Sequence, residues 1–517
     1  MPARRQISIP VAALALVVAA CTPRTRRTPD DTLVFVLEQQ VRELDPRYLF
    51  LNYETKISRL VAPALVSVDQ ASLEPRLELA ERIDRVDPLT WDVTVRAGPR
   101  FPDGTPIGAR DVVYTFMSTL ADPKSQAYHS FSERLVSVER LDERRARFHL
   151  REPLATFVTD LEYGIVSAAV AEAGGGRFAG GSVIGAGPYQ VAEMHPNEVI
   201  LVRNPGYDGP PPPLARLVFR TILDTNARLL VLVGGSADLA LNAVRPDLLP
   251  RVEDKPRLRV ETGPSALLTY LLLNNDDPVL SDVRVRQAIA YAIDRPAIVR
   301  GRLGGKARLA TGLLPPGHWA YRADVTTYDH DRARARALLD EAGHPAGPDG
   351  VRFALLYKTS TDLTRIAIAR LVAQDLAEVG IAVEVRSFDV ATVFADLKRG
   401  NYQMSSWQTG SVAEPDMYMP YFHSSRIPSP ENPDVQNRSH YRSVEADRLM
   451  EAGRHELDRE RRRAIYGELQ ALLAHDLPVV PLWHEDNVAV MNRDLHGFEV
   501  LPNAYLSPLA RAAKSPQ

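Results

Sequence analysis

The residues best able to do chemistry in this 517-residue chain gather between Met404 and Ser424, in MSSWQTGSVAEPDMYMPYFHS. Trp407, Tyr418, Tyr421 and Phe422 stand there among glycine, proline, Glu414 and Asp416. An aromatic-rich stretch with few charges can enclose the apolar parts of a small molecule and orient its polar parts. Tyr421 and Phe422 fit core packing better than a site.

Catalytic constellations fail one by one. No G-x-S-x-G elbow, S-x-x-K pair or H-E-x-x-H helix occurs. His484-Glu485-Asp486 is the densest group of potential metal ligands, but neighbours on a strand point to opposite faces and do not converge on one ion. The other histidines are scattered, so neither a metal nor a cofactor is expected. The glycines of Gly174–Gly187 (GGGRFAGGSVIGAG) do not join a strand to a helix and lack the G-x-x-x-x-G-K-[ST] pattern of a phosphate loop. Gly304-Gly305-Lys306 also fails, because Ala307 follows where a hydroxyl is required. The first glycine run reads as a loop leading into a strand at Pro188–Ala192.

The elements that would position these residues can be read from periodicity. TLVFVL at Thr32–Leu37 is a strand of β-prone residues. Thr90–Arg96 alternates, with Trp91, Val93 and Val95 on one face, and reads as a half-buried strand. Pro102-Asp103-Gly104 turns the chain. The next helix puts Val112, Val113, Phe116, Met117 and Leu120 on one side. Ala146–Leu150 is another strand, so this part is α+β. From Arg352 the pattern becomes βαβ: RFALLY, a helix capped by Asp362 and ended by Gly380, then IAVEVRSF. The helix carries Ile368, Leu371, Val372, Leu376 and Val379 on one face. In SDVRVRQAIAYAIDRP, Ser281 or Asp282 caps a helix with Val285, Ile289, Ala292 and Ile293 on its stripe, and Arg284 and Arg286 off it. Asp294 can cap a second helix with Pro296 in its first turn.

Arg4 and Arg5 precede the apolar run Ile7–Ala20, which ends Val18-Ala19-Ala20-Cys21. The run suits a signal-peptide core, and small residues before a cysteine fit a lipoprotein processing site. Residues 1–20 are then the signal, Cys21 the lipidated residue, and 21–30 a polar tether. Cys21 is the only cysteine, which excludes an internal disulfide, a cysteine-ligated zinc and a cysteine nucleophile in the folded body. An exported chain of nearly 500 residues without disulfides must rest on a large apolar core in two or more domains. The formal charge of −3 becomes −5 once Arg4 and Arg5 leave, too mild to imply nucleic acid as a partner.

The chain resembles family 5 of the extracellular solute-binding proteins, which includes dipeptide, oligopeptide and nickel receptors. The resemblance runs through LTWDVTVRAGPRFPDGTPIGARDVVYTF, IGAGPYQVAEM with VRNPGYDG, GGSADLALNA, LLLNNDDPVLSDVRVRQAIAYAIDR, YDHDRARARALLDEAGH, ARLVAQDLAEVGIAVEVRSFD and RRRAIYGELQALLAHDLPVVPLW. No single segment decides it; their order and spacing together do.

The resemblance implies an α/β fold: a two-lobed periplasmic-binding-protein clamp with an extra α+β domain, of the type II, peptide-receptor-like kind. Lobe one would comprise 31–60, 190–270 and 490–517, the inserted domain 61–189 and lobe two 271–489. Crossings between lobes would fall near Leu273-Asn274 and Pro481–Trp483. A monomeric receptor, not an enzyme, is implied, held to the membrane on the periplasmic side by a lipid on Cys21. Its partners would be a peptide or similar small solute and an ABC permease with its ATPase. A secreted hydrolase on a similar scaffold is the alternative, and within the binding class a receptor for a sugar or another organic solute. Nickel fits less well without a histidine cluster.

The implied ligand contacts are Trp407, Gln408, Ser411, Asp416, Tyr418, Lys358, Arg365 and Glu38. The sequence departs from the dipeptide pattern at two of them. Ser411 stands where an aspartate would hold the ligand's α-ammonium. The arginine that would hold its carboxylate has no counterpart before the helix, where only Lys358 and, inside the helix, Arg365 are on offer. Loss of both anchors argues against tight binding of free dipeptides.

Overall fold

A computed structural model describes residues 28–69, 74–409 and 414–515. The signal segment, Cys21 and Ser411 lie outside them. Two large sheets and one small one organise the chain. The first has seven strands in the order Leu258–Gly263, Asn487–Asn492, Leu239–Leu241, Thr32–Leu37, Arg216–Thr221, Glu198–Arg203 and Tyr189–His195. Thr32–Leu37 is central and pairs in parallel with both neighbours. Its residues alternate between two cores: Leu33, Phe35 and Leu37 enter one, Val34 and Val36 the other. A strand covered on both faces has no polar side, which is why TLVFVL reads as one apolar run.

The second sheet has six strands: Ala307–Leu309, Val479–Glu485, Leu268–Leu273, Met404–Gln408, Phe353–Ser360 and Ile381–Phe388. Leu268–Leu273 is wholly buried and splits in the same way, Leu268, Tyr270 and Leu272 against Leu271 and Leu273. Phe353–Ser360 and Ile381–Phe388 run parallel, joined by the helix Leu363–Ala377. Gly380 has φ 88°, the left-handed turn that a glycine tolerates at a helix end.

A four-stranded antiparallel sheet, Ala80–Asp87, Thr90–Val95, Arg145–Leu150 and Leu135–Arg140, makes a third body with the helix Ala109–Ala121. The glycine run behind it holds the chain close to its neighbours. A Cβ on Gly185 or Gly187 would stand 2.3 or 2.4 Å from the carbonyl oxygens of Val61 and Leu60.

The crossings between the large sheets differ from the sequence expectation. The chain leaves the first sheet after Gly263 and enters the second at Leu268; it returns between Glu485 and Asn487. Leu273 and Pro481–Trp483 lie in strands of the second sheet, because their burial on both faces makes them core rather than connection. Arg286 also departs from its expected place off the helix stripe. It is buried and donates to the carbonyls of Leu280, Ser281, Asp476 and Leu477, so a charge closes loop ends where an apolar residue could not.

Candidate functional site

Ligands of open α/β sheets bind beyond the carboxyl ends of parallel strands, where helices begin. In the second sheet those ends lead into the helices Leu363–Ala377 and Val390–Lys398. Asp362 and Asp389 cap them, each Oδ1 accepting a backbone N–H, from Arg365 and Thr392, at 2.9 Å. A cleft of about 610 Å³ opens there, lined by Asp362, Arg365, Asp389, Val390, Ser406 and Trp407 among others.

Trp407 is half-buried at the end of Met404–Gln408. Its ring stacks on Phe394 with centroids 5.6 Å apart, and the Arg438 guanidinium lies 5.6 Å from the indole centroid. Gln408 is held by a polar chain. Arg365 Nη2 donates to Gln408 Oε1 at 3.3 Å, and Gln408 Nε2 donates to Thr269 Oγ1 and Glu485 Oε1 at 3.0 Å each. Glu485 Oε1 also accepts from Thr269 Oγ1 at 2.8 Å and from Trp483 Nε1 at 3.3 Å. The chain fixes the side chains of this wall before any ligand arrives.

The carboxyl end of the first sheet's central strand lies near this cleft. Glu38 follows Thr32–Leu37 directly, its carboxylate 3.8 Å from Arg228. Burial raises the Glu38 carboxyl above its ordinary range; Arg228 and Lys56 oppose this, and Asp362 adds to it. Asp362, which lines the cleft, thus lies close enough to Glu38 for its charge to be felt there. Tyr53, on the helix Asn52–Val61, donates its hydroxyl to Leu241 O at 3.0 Å and ties that helix to the same end of the first sheet.

Trp407 and Arg365 therefore line the cleft, Gln408 is bonded to Arg365 behind them, and Glu38 stands close enough to Asp362 to feel its charge. Three other expected contacts lie away from it. Lys358 is buried and donates to Asp396 Oδ2 at 2.7 Å and to Asn401 O at 2.6 Å, so its charge is already neutralised inside the second lobe. Asp416 is buried 3.5 Å from Arg134 of the small-sheet domain. Tyr418 is 2% exposed and packs in the core against Phe422 and Tyr466, its apolar ring outweighing its hydroxyl. Phe422 is core as expected. His484 is buried too, and burial pushes its imidazole down to about 4, which leaves it neutral. Among the described residues no three His, Cys, Asp or Glu side chains group to hold a metal.

Sequence reasoning passed over Asp389, Val390 and Ser406. Asp389 and Val390 follow the end of IAVEVRSF, so the carboxyl-end rule was the signal for them, and Ser406 stands beside Trp407 in the strand Met404–Gln408, which the sequence pattern did not identify.

Asp416 belongs to a second polar region, a seam between the small-sheet domain and the second lobe. Arg426 lies 3.1 Å from Glu133 and Arg459 2.5 Å from Glu74 across it, while Arg134 with Asp160 at 2.5 Å and Arg462 with Glu414 at 2.9 Å pair on either side. Burial raises the Asp160 and Glu414 carboxyls, and Arg134 and Arg462 pull them back.

Comparison with known proteins places this geometry. A family model described as bacterial extracellular solute-binding proteins, family 5 Middle, matches residues 74–429, more than half of the chain. The probable D,D-dipeptide-binding periplasmic protein DdpA of Escherichia coli (strain K12) is 28% identical over 516 residues, 96% of this chain and 97% of the relative. Among solved structures, the ABC transporter substrate binding protein CtaP of Listeria monocytogenes superposes with a TM-score of 0.83 at 24% identity, covering 93% of this chain and 99% of that one. The oligopeptide-binding protein AppA of Bacillus subtilis, solved with a nonapeptide, has a TM-score of 0.77 at 24% identity, covering 94% and 99%.

Proposed function

The chain belongs to family 5 of the bacterial extracellular solute-binding proteins, and from that premise we propose that it captures a peptide for an ABC importer by closing two lobes around it. Membership makes it a binding protein rather than an enzyme. The observation that carries the finer reading is the cleft at the carboxyl ends of the second sheet, with Glu38 of the first sheet near Asp362, in a chain whose two large sheets are joined by two short crossings, 264–267 and Asp486. Few residues need change conformation for such lobes to rotate, and a ligand touching both lobes favours the shut form. Strand membership supports lobe one as 31–60, 190–270 and 490–517, with 61–189 inserted and 271–489 as lobe two, once the borders are moved to those crossings. DdpA and AppA support a peptide as solute, and CtaP supports an ABC permease and ATPase as partners. Ser411 in place of an acid favours peptides longer than two residues. The protein acts as a monomer, tethered by a lipid on Cys21 at the periplasmic face.

Calorimetry with a series from dipeptide to nonapeptide tests the solute. Binding that strengthens with length supports the reading; no binding by any member overturns it. Small-angle scattering at saturation should show a smaller radius of gyration at unchanged mass. Tight binding at constant radius, from a free form shown to be open, would contradict closure. Cys21→Ala should abolish labelling by palmitate; equal labelling would exclude that anchor.

A further inference from the structure

The chain has seven lysines, and three of them are buried: Lys56, Lys358 and Lys514. Two are answered from within. Lys358 meets Asp396 and the Asn401 carbonyl. Lys514 lies 2.9 Å from Asp238 and donates to Thr28 Oγ1 and to the carbonyls of Pro29 and Thr32. Lys56 is 5% exposed, yet among the described residues it makes no hydrogen bond and no ion pair. An ammonium taken from water without a partner is costly, so buried cations are ordinarily paired. Its Nζ keeps a small opening to solvent, through which an anion can reach it.

Its place in the fold gives the vacant partnership a direction. Lys56 Nζ stands 5.5 Å from the ring centroid of Tyr53, one turn earlier, whose hydroxyl is fixed to the end of the Leu239–Leu241 strand. Glu38, at the end of the neighbouring strand, feels both Lys56 and Asp362. Tyr53 and Glu38 are thus the groups beside it, and Arg228 and Asp362 act on Glu38 in turn. Arg228 is occupied by the carbonyls of Ile222, Leu223 and Ala243. Glu38 stays outside ion-pair distance of Lys56 and leans toward Arg228.

We propose that Lys56 is the seat for a carboxylate of the bound solute on the first sheet's side of the cleft. The proposal rests on the reading of that cleft as the solute site. A single ammonium beside the Glu38 carboxylate suits a monoanion better than a phosphate dianion. Burial pulls the Lys56 ammonium down to about 8, which leaves it mostly charged at neutral pH and ready to gain from an anion. A peptide carboxyl terminus has that chemistry, and so does the carboxylate of another organic acid.

The probes are tetra-alanine and its C-terminal amide, titrated calorimetrically at pH 7 into wild type, Lys56→Met and Lys56→Arg. Wild type should bind the acid about thirtyfold more tightly than the amide. Lys56→Met should bind both as wild type binds the amide, and Lys56→Arg should keep part of the preference. Equal binding of acid and amide by wild type overturns the proposal, and so does a preference that survives in Lys56→Met. A second arm separates this from the peptide reading. In 100 mM acetate, against chloride at equal ionic strength, the unfolding midpoint of wild type should rise and that of Lys56→Met should not. Should neither peptide bind, the peptide reading fails, and the acetate arm alone decides Lys56: equal shifts in the two proteins overturn it.

Discussion

Lys56 and Lys358 are buried to nearly the same depth, 5% and 7% exposed, one beside each large sheet, and their surroundings are opposite. Lys358 is closed into its lobe by Asp396 and Asn401. Lys56 has no hydrogen bond or ion pair for its ammonium, only the Tyr53 ring and the more distant Glu38 charge. The same contrast holds between the cleft and the seam. Around the seam Arg134, Arg426, Arg459 and Arg462 each have a carboxylate within 3.1 Å. At the cleft Asp362 and Asp389 cap helices, while Glu38 and Lys56 remain loosely met. Charges satisfied inside the chain hold domains together; charges left open at strand ends await something from outside.

The sharpest way to break that comparison is to remove each lysine. Lys358→Met leaves Asp396 buried beside only Arg399 and Asn401, and should destabilise the protein by about 3–5 kcal/mol in urea unfolding. A loss below about 1 kcal/mol would show that the pair is not structural. Lys56→Met should act in the other direction. Depression of the Lys56 ammonium from 10.5 to about 8 corresponds to a charging cost of about 3 kcal/mol, which the substitution removes at pH 7. The sign with pH follows. Between about 8 and 10.5 the unfolded chain holds the proton and the folded chain does not, so wild-type stability should rise with pH across that window. Lys56→Met should lack that rise; an identical slope in both proteins would remove Lys56 from the account.

The smallest effect lies at the rim of the seam. Glu74 and Arg459 form a pair half open to solvent, so Glu74→Gln should cost about 0.5 kcal/mol and lose even that at high salt. A loss of several kcal/mol would mean that the seam, and not the packed cores, joins the domains.

Much of the fold was legible because it is local. Asp282, Asp294 and Asp362 cap the helices their positions announce, each accepting a backbone N–H from two or three residues on. IAVEVRSF is a strand over its full length, Ile381–Phe388. Long-range pairings were not legible. The partner of Lys358 lies 38 residues away, and that of Asp416 lies 282 residues away in another domain. Charge and aromatic character drew attention to Trp407, Asp416 and Tyr418, but residue type does not show whether a polar group is already answered. Lys358 and Arg365 were both named through the resemblance, and only Arg365 lines the cleft. Lys56 stands in a helix whose sequence says nothing of the strand ends beside it.

The account turns on the solute lying between the two lobes, and Trp407 tests this most directly. Its indole offers the cleft a broad apolar surface, the kind of group that contributes about 2 kcal/mol or more at a binding hot spot. Calorimetry of the tightest-binding peptide should find Trp407→Ala about thirtyfold weaker than wild type, with cooperative unfolding retained. Equal affinity in the two proteins would contradict the placement of the solute in this cleft and return Trp407 to the core it shares with Phe394.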